Sequence, residues 1–286
     1  MLKHRLILGV LMAVAFVGLV LLDGWLDGSL TPSMAQGGHV QGVIFTVLVC
    51  LLMVPSHLEL AAMAGAKGLK VATGVTIPGS ILLATTVYWP PHGDLDWGAY
   101  AVLVVAATFF GLVLRQVLSD GIAGTMVGAG VGLLALTYVG VLGAFSVLLR
   151  VHFGVWPLLM YVCVVKAADI GAFTVGSLLG SHKLVPRISP GKTWEGLAGG
   201  IVLGALVAMP FGRPCGILDI RWAMAFGIVF AVIGQLGDLA ESILKRDAQV
   251  KDASDRVPGF GGVLDVLDSP LAAAPFAYAF FVWWNG

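Results

Sequence analysis

Charge is what this sequence has little of. Of its 286 residues, 11% are Asp, Glu, Lys or Arg and 58% are hydrophobic. A water-soluble domain carries roughly 25% charged residues, so this chain could not cover a water-facing surface. A bilayer makes the composition reasonable, because lipid accepts apolar side chains on the outside of a fold. Cysteine is scarce as well. Cys50, Cys163 and Cys215 stand far apart, with no CxxC pair and no Cys/His cluster. That excludes the patterns of a disulfide framework or a zinc site, and the three read as small packing residues. Net charge is absent too, at zero, and no nucleic-acid partner is expected.

Long apolar runs are present instead. A spanning helix needs roughly 20 mostly apolar residues. Nine segments qualify, at about 6–22, 41–60, 71–89, 98–118, 122–149, 155–180, 196–212, 222–244 and 264–284. The expected fold is all-α, a polytopic integral membrane helix bundle of about nine transmembrane helices. Residues 1–150 supply about five of them and 151–286 the rest, within one compact membrane domain. The first run follows Lys3, His4 and Arg5 as a signal peptide would. Leu21-Leu22-Asp23-Gly24-Trp25 is a poor cleavage site, so the run is read as a retained helix. Glycines recur at helical spacing over 121–143 and 196–204, which lets helices approach closely and would also suit a homodimer.

Lysine and arginine fall unevenly between the loops. With the N-terminus inside, the inner segments hold Lys3, Arg5, Lys67, Lys70, Arg115, Lys183, Arg187, Lys192, Lys245, Arg246, Lys251 and Arg256. The outer segments hold Arg150, Arg213 and Arg221, and Lys166 lies within the sixth helix. The outer loops are mildly acidic, with Asp23, Asp27, Asp94, Asp96 and Asp219. Twelve basic residues against three set the orientation. The stretch from Asp238 to Asp268 is therefore expected on the cytoplasmic side.

Ionisable groups inside membrane helices are costly and mark function. Lys166 and Asp169 share one face of the sixth helix, as an ion pair locking two helices or as the wall of an interior cavity. Asp238, Glu241, Ser242 and Lys245 fall at i, i+3, i+4 and i+7 of the eighth helix. Asp265 and Asp268 open the ninth, either as partners of the helix dipole or as oxygen ligands for Mg²⁺. Between them, Pro258-Gly259-Phe260-Gly261-Gly262 makes a tight loop whose amides can approach an anion. Carboxylates for a metal beside lysines and bare amides for phosphate suit a nucleoside triphosphate. Upstream, Ser189-Pro190-Gly191-Lys192-Thr193 contains Gly-Lys-Thr, but the earlier glycine of a P-loop is replaced by Pro186. Ser189, Lys192 and Thr193 either cap a helix start with a snorkelling lysine or receive a phosphate.

Taken together, these pieces resemble the phosphatidate cytidylyltransferase (CDP-diglyceride synthase) family. Ser242, Lys245, Arg246, Lys251, Asp252, Pro258, Gly259, Gly261, Gly262, Asp265 and Asp268 stand at the positions of its C-terminal signature. The Ser189–Gly196 segment, Asp169 in Ala-Asp-x-Gly-Ala and Gly237-Asp238-Leu-x-Glu241-Ser242 are also similar to it. The likeness covers roughly residues 160–275; the first five helices match only in hydrophobicity. Two positions depart, with Phe260 for the family's histidine and Val266 for its arginine.

The resemblance implies attack by the phosphate of phosphatidate on the α-phosphorus of CTP, giving CDP-diacylglycerol and pyrophosphate. It implies catalysis by Asp238, Asp265, Asp268 and Lys245, with the three aspartates holding Mg²⁺ and room for a second cation. Ser189, Lys192, Thr193, Ser242, Arg246, Lys251, Gly261, Gly262 and Asp169 would bind the substrates, CTP and phosphatidate, in a protein surrounded by membrane lipids. It places the protein in the bacterial inner membrane. The alternatives are a cytidylyltransferase for an archaeol- or polyprenol-type lipid phosphate, a transporter coupled through Lys166, Asp169 and Asp238, and a catalytically silent relative. A transporter would place these groups near the midplane in paired halves, which the sequence does not.

Overall fold

The computed structural model describes residues 2–30, 42–89, 96–212, 215–254 and 261–285. Nine apolar helices follow one another: α1 (Leu2–Leu26), α2 (Val43–Ala66), α3 (Thr73–Thr85), α4 (Trp97–Asp120), α5 (Thr125–Phe153), α6 (Val155–Leu179), α7 (Trp194–Phe211), α8 (Ile220–Asp247) and α9 (Val263–Asn285). Eight of those described are long and apolar enough to cross a membrane. The ninth, α3, is continued only by a 3₁₀ turn over Thr86–Tyr88 and stays short. The chain is thus a polytopic helical membrane protein, and the sequence segments match the helices one for one. Within α5, Leu136–Val141 widens into a π-helical turn.

One element was not expected. Between α6 and α7 the chain forms an antiparallel hairpin, β1 (Lys183–Val185) with β2 (Ser189–Thr193). It delivers Lys192 and Thr193 to the start of α7.

Small residues set the packing of the second half, where α6, α7 and α8 lie closest together. A Cβ added at Gly171 of α6 would stand 2.6 Å from the carbonyl oxygen of Gly199 in α7. One added at Gly227 of α8 would stand 2.5 Å from the Cα of Ala205 in α7. In α5, Gly132 and Gly140 likewise receive Leu112 of α4 and Ser80 of α3. These glycines are used within the chain, whereas Gly121, Gly124 and Gly130 have nothing within 4 Å. One buried cluster draws on both halves, from Val20, Phe45 and Met63 to Leu159, Phe230 and Phe281.

Contacts sort the loops to two ends. At one, Lys67 meets Asp247 at 2.6 Å, Lys70 pairs with Asp120, and Arg246 Nε donates to the carbonyl of Ile188 at 3.1 Å. The basic loops therefore gather together. At the other, Trp97, His152 and Tyr278 form one aromatic cluster, and Trp222 packs on Trp283 and Trp284. Such rings suit a membrane–water interface.

Arg150 corrects the loop count. It is not an outer-loop cation but is fully buried, with Nη2 2.9 Å from Asp23 and 2.7 Å from Asp27. The same carboxylates accept from the amides of Ile44 and Gly42. A buried guanidinium needs such partners, so Asp23 and Asp27 are also interior groups rather than loop charges.

Candidate active site

The helical spacing of α8 brings one polar face to the end of the bundle where the basic loops meet. Asp238 Oδ2 lies 2.9 Å from Nζ of Lys192, which the hairpin carries across from α7. Lys192 also donates to the carbonyl of Gln235 at 3.1 Å, and Gln235 Nε2 donates to Asp169 at 3.3 Å. Asp169 in turn accepts from Lys166 at 3.2 Å. Ser242 Oγ donates back to Asp238 at 3.3 Å. Asp268, 5% exposed, accepts from the amide of Ser269 and lies within electrostatic reach of Lys166, Asp169 and Asp238. So Lys166 and Asp169 are both an ion pair and part of a polar wall running across α6, α7, α8 and α9.

Lys245 is the second centre. Its ammonium lies 2.8 Å from Glu241 and 2.6 Å from Asp265, and all three side chains are nearly buried. Asp265 Oδ2 accepts two more bonds, from the amides of Ala253 at 3.1 Å and Gly262 at 2.5 Å. Gly261 stands at φ +96°, a conformation that favours glycine, with Asp265 packed where a Cβ would be. For the described part of the glycine loop this differs from the expectation. The described amides at 262–264 are not free for phosphate: Gly262 donates to Asp265, and Val263 and Leu264 donate to Glu59 at 3.0 and 2.8 Å. Both oxygens of Asp265 are engaged, as are those of Asp238, by Lys192 and Ser242; what separates the two is burial, Asp265 being 8% exposed and Asp238 34%.

Other expected residues take varied places. Thr193 is 3% exposed, and its Oγ1 accepts from the amide of Gly196. The amide of Trp194 donates to the carbonyl of His182. The start of α7 is therefore a capped one, and Lys192 extends from the same segment to Asp238. Ser189 is half-buried on β2, and Arg246 and Lys251 are exposed beside the same end. Val266 is half-buried in the first turn of α9. Phe260, Arg256, Pro258 and Gly259 lie outside the described residues.

Three contributors were missed. Glu59, on α2, is buried against the start of α9. Gln235 joins Lys192 to Asp169. The phenol of Tyr138, in the π-helical turn, is buried within electrostatic reach of Asp238, Glu241, Asp265 and Asp268. Only Gln235 sat beside a recognised motif. Among the described residues, no three His, Cys, Asp or Glu side chains converge as a preformed metal cage. What is present is an array of carboxylate oxygens, the donor type a hard divalent cation prefers, with Asp238 still about one-third exposed (34%).

Fold and site together define a class: a polytopic membrane protein with a charged, carboxylate- and lysine-lined cluster at one end of its bundle. The model of the cytidylyltransferase family matches residues 3–284, and the chain belongs to that family. It is 33% identical over 283 residues to a phosphatidate cytidylyltransferase of Bacillus subtilis, covering 96% of each chain. A protein of the same name from Synechocystis is 31% identical over 274 residues, 84% of this chain and 89% of its own. One from Haemophilus influenzae is 40% identical over 135 residues, about half of either chain (46% and 47%).

Proposed function

We propose that this protein transfers the cytidylyl group of CTP to phosphatidate, forming CDP-diacylglycerol and pyrophosphate, at the bundle end where the basic loops meet. The observation that carries this reading is the pair of networks Lys192–Asp238–Ser242 and Glu241–Lys245–Asp265, both centred on α8 at one end of a membrane-spanning bundle. A phosphate oxygen of phosphatidate bonds to the α-phosphorus of CTP, and the bond from that phosphorus to the β-bridging oxygen breaks. The nucleophile is already anionic near neutral pH, so catalysis reduces to positioning reactants and neutralising charge.

Lys192, held between Asp238 and the Gln235 carbonyl, is placed to exchange its carboxylate partner for a phosphate. Arg246 and Lys251, exposed at the rim, draw the triphosphate in. Lys245 stays between its two carboxylates and fixes Asp265 and the loop it organises. Asp238 and Asp268 would hold Mg²⁺, with substrate phosphates completing its shell and Asp265 supporting from behind. When bound, that ion would supply charge neutralisation on the triphosphate. In this reading the site faces the cytoplasm of a bacterial inner membrane, on the side of the basic loops.

The test is purified protein in detergent with phosphatidate and labelled CTP, with and without Mg²⁺. Lipid-soluble label and released pyrophosphate are expected with Mg²⁺ only. Label appearing solely on an archaeol- or polyprenol-type phosphate would redirect the acceptor, and no transfer to any lipid would refute the reading. Asp238→Asn and Asp268→Asn are each expected to abolish transfer while inserting normally; full activity in both would remove the metal assignment.

A further inference from the structure

Glu59 belongs to no motif, yet it is one of the most heavily bonded side chains in the molecule. It is the one Asp, Glu, Lys or Arg residue of α2 and is 1% exposed. A carboxylate in such a place is costly unless donors replace its water. Three do. Ser254 Oγ and the amide of Val263 donate to Oε1 at 2.7 and 3.0 Å, and the amide of Leu264 donates to Oε2 at 2.8 Å. Two of these donors are the first amides of α9, the positive end of that helix. The fit is close: a Cβ added at Gly262 would stand 2.4 Å from Oε2.

Asp265 and Glu59 divide one task. Asp265 ties Ala253 to Gly262, so it fixes the loop to itself and, through Lys245, to α8. Glu59 ties Ser254 to Val263 and Leu264, the neighbours of those residues, and fixes them to α2. Without Glu59 the described ends of the loop would keep their tie through Asp265 but lose their anchor on the first half of the chain.

From this geometry we infer that Glu59 is a positioning residue for the transfer reaction, the point at which α2 holds the loop between α8 and α9 in register with Lys192 and Asp238. The inference rests on the proposed function for its kinetic consequence, and the loop bears Lys251, so the effect falls on the nucleotide. It assigns a role in CTP binding to the N-terminal half, which the recognised motifs do not enter.

Two readouts on purified Glu59→Ala test it. Without substrates, hydrogen exchange of the amides at 261–264 is expected to accelerate by about tenfold or more, the scale of a lost hydrogen bond to a charged group. With substrates, the KM for CTP is expected to rise by a similar factor while the KM for phosphatidate stays constant. Glu59→Gln, which keeps an acceptor oxygen, should recover most of both. Unchanged exchange with unchanged KM for CTP overturns the inference. So does a lower kcat at constant KM for both substrates, the mark of a merely structural residue. If Glu59→Ala does not fold, Ser254→Ala is read the same way, with a raised KM for CTP in support and wild-type kinetics against. Wild-type protein that transfers nothing would sink the proposed function, while the exchange data would still decide whether Glu59 anchors the loop.

Discussion

Lys245 shows how much one side chain can hold. It is 12% exposed, between Glu241 at 0% and Asp265 at 8%. Removing the cation leaves two buried carboxylates facing each other, which costs about 3–5 kcal/mol for a broken buried pair. Lys245→Met is therefore expected to lower the Tm in detergent sharply and to abolish transfer. The double variant with Glu241→Gln should regain part of the Tm and none of the activity, and a double-mutant cycle on thermal unfolding measures that coupling. Arg150 presents the converse arrangement, one cation serving Asp23 and Asp27. Burial opposes ionisation of Asp27. Hydrogen bonds from Ser29 and the Gly42 amide, with the Arg150 guanidinium, outweigh it and hold its carboxyl below the usual range. A lowered pKa contributes stability above the ordinary carboxylate range, lost as pH falls through the lowered value. Arg150→Ala is expected to destabilise by several kcal/mol, on the order of 3–5, with Lys192–Asp238 chemistry unaffected at temperatures where the variant is folded. Thermal scans and the transfer assay separate the two.

Among the elements, the crossings of α6, α7 and α8 carry the site, because α7 bears the hairpin with Lys192 and α8 bears Asp238. Gly227→Leu would drive a side chain into the backbone of Ala205 and separate the two helices. Overpacking of this kind costs about 1–3 kcal/mol, and both Tm and transfer should fall; Gly130→Leu, where nothing lies within 4 Å, should leave both unchanged. The helices were legible because run length alone reports them, and the Asp238-to-Lys245 face because its spacing is helical. The β1–β2 hairpin was not. Three- and five-residue strands built from Lys-Leu-Val and Ser-Pro-Gly-Lys-Thr carry no alternating apolar pattern to betray them. Glu59 and Arg150 were illegible for a different reason: their partners lie far along the chain, 195 residues for Ser254 and 123 for Asp27. Sequence spacing shows which groups share a helix face, not which amides another helix has already occupied.

For the whole molecule, the sorted ends make orientation measurable. Cys215 lies in the loop between α7 and α8, away from the site end, and a cysteine placed at Lys251 would lie at it. A membrane-impermeant maleimide should label the Lys251→Cys position in inside-out vesicles and not in right-side-out ones. The reverse pattern would invert the proposed topology. The short helix α3 bears on how the protein meets its bilayer. Thr73–Tyr88 extends about 25 Å at helical rise, some 5 Å less than a typical hydrocarbon core of about 30 Å. Its far end meets the Arg150 cluster, where Tyr88 bonds to Thr46. Where its exposed residues Gly74, Pro78 and Leu82 meet lipid, a short span of this kind is expected to thin the neighbouring leaflet and bring the headgroup region toward that buried ion pair. If that flank governs how the protein sits in its bilayer, thermal unfolding should come at a higher temperature in short-chain than in long-chain lipid; equal stability in both would show that the eight longer helices set the match instead.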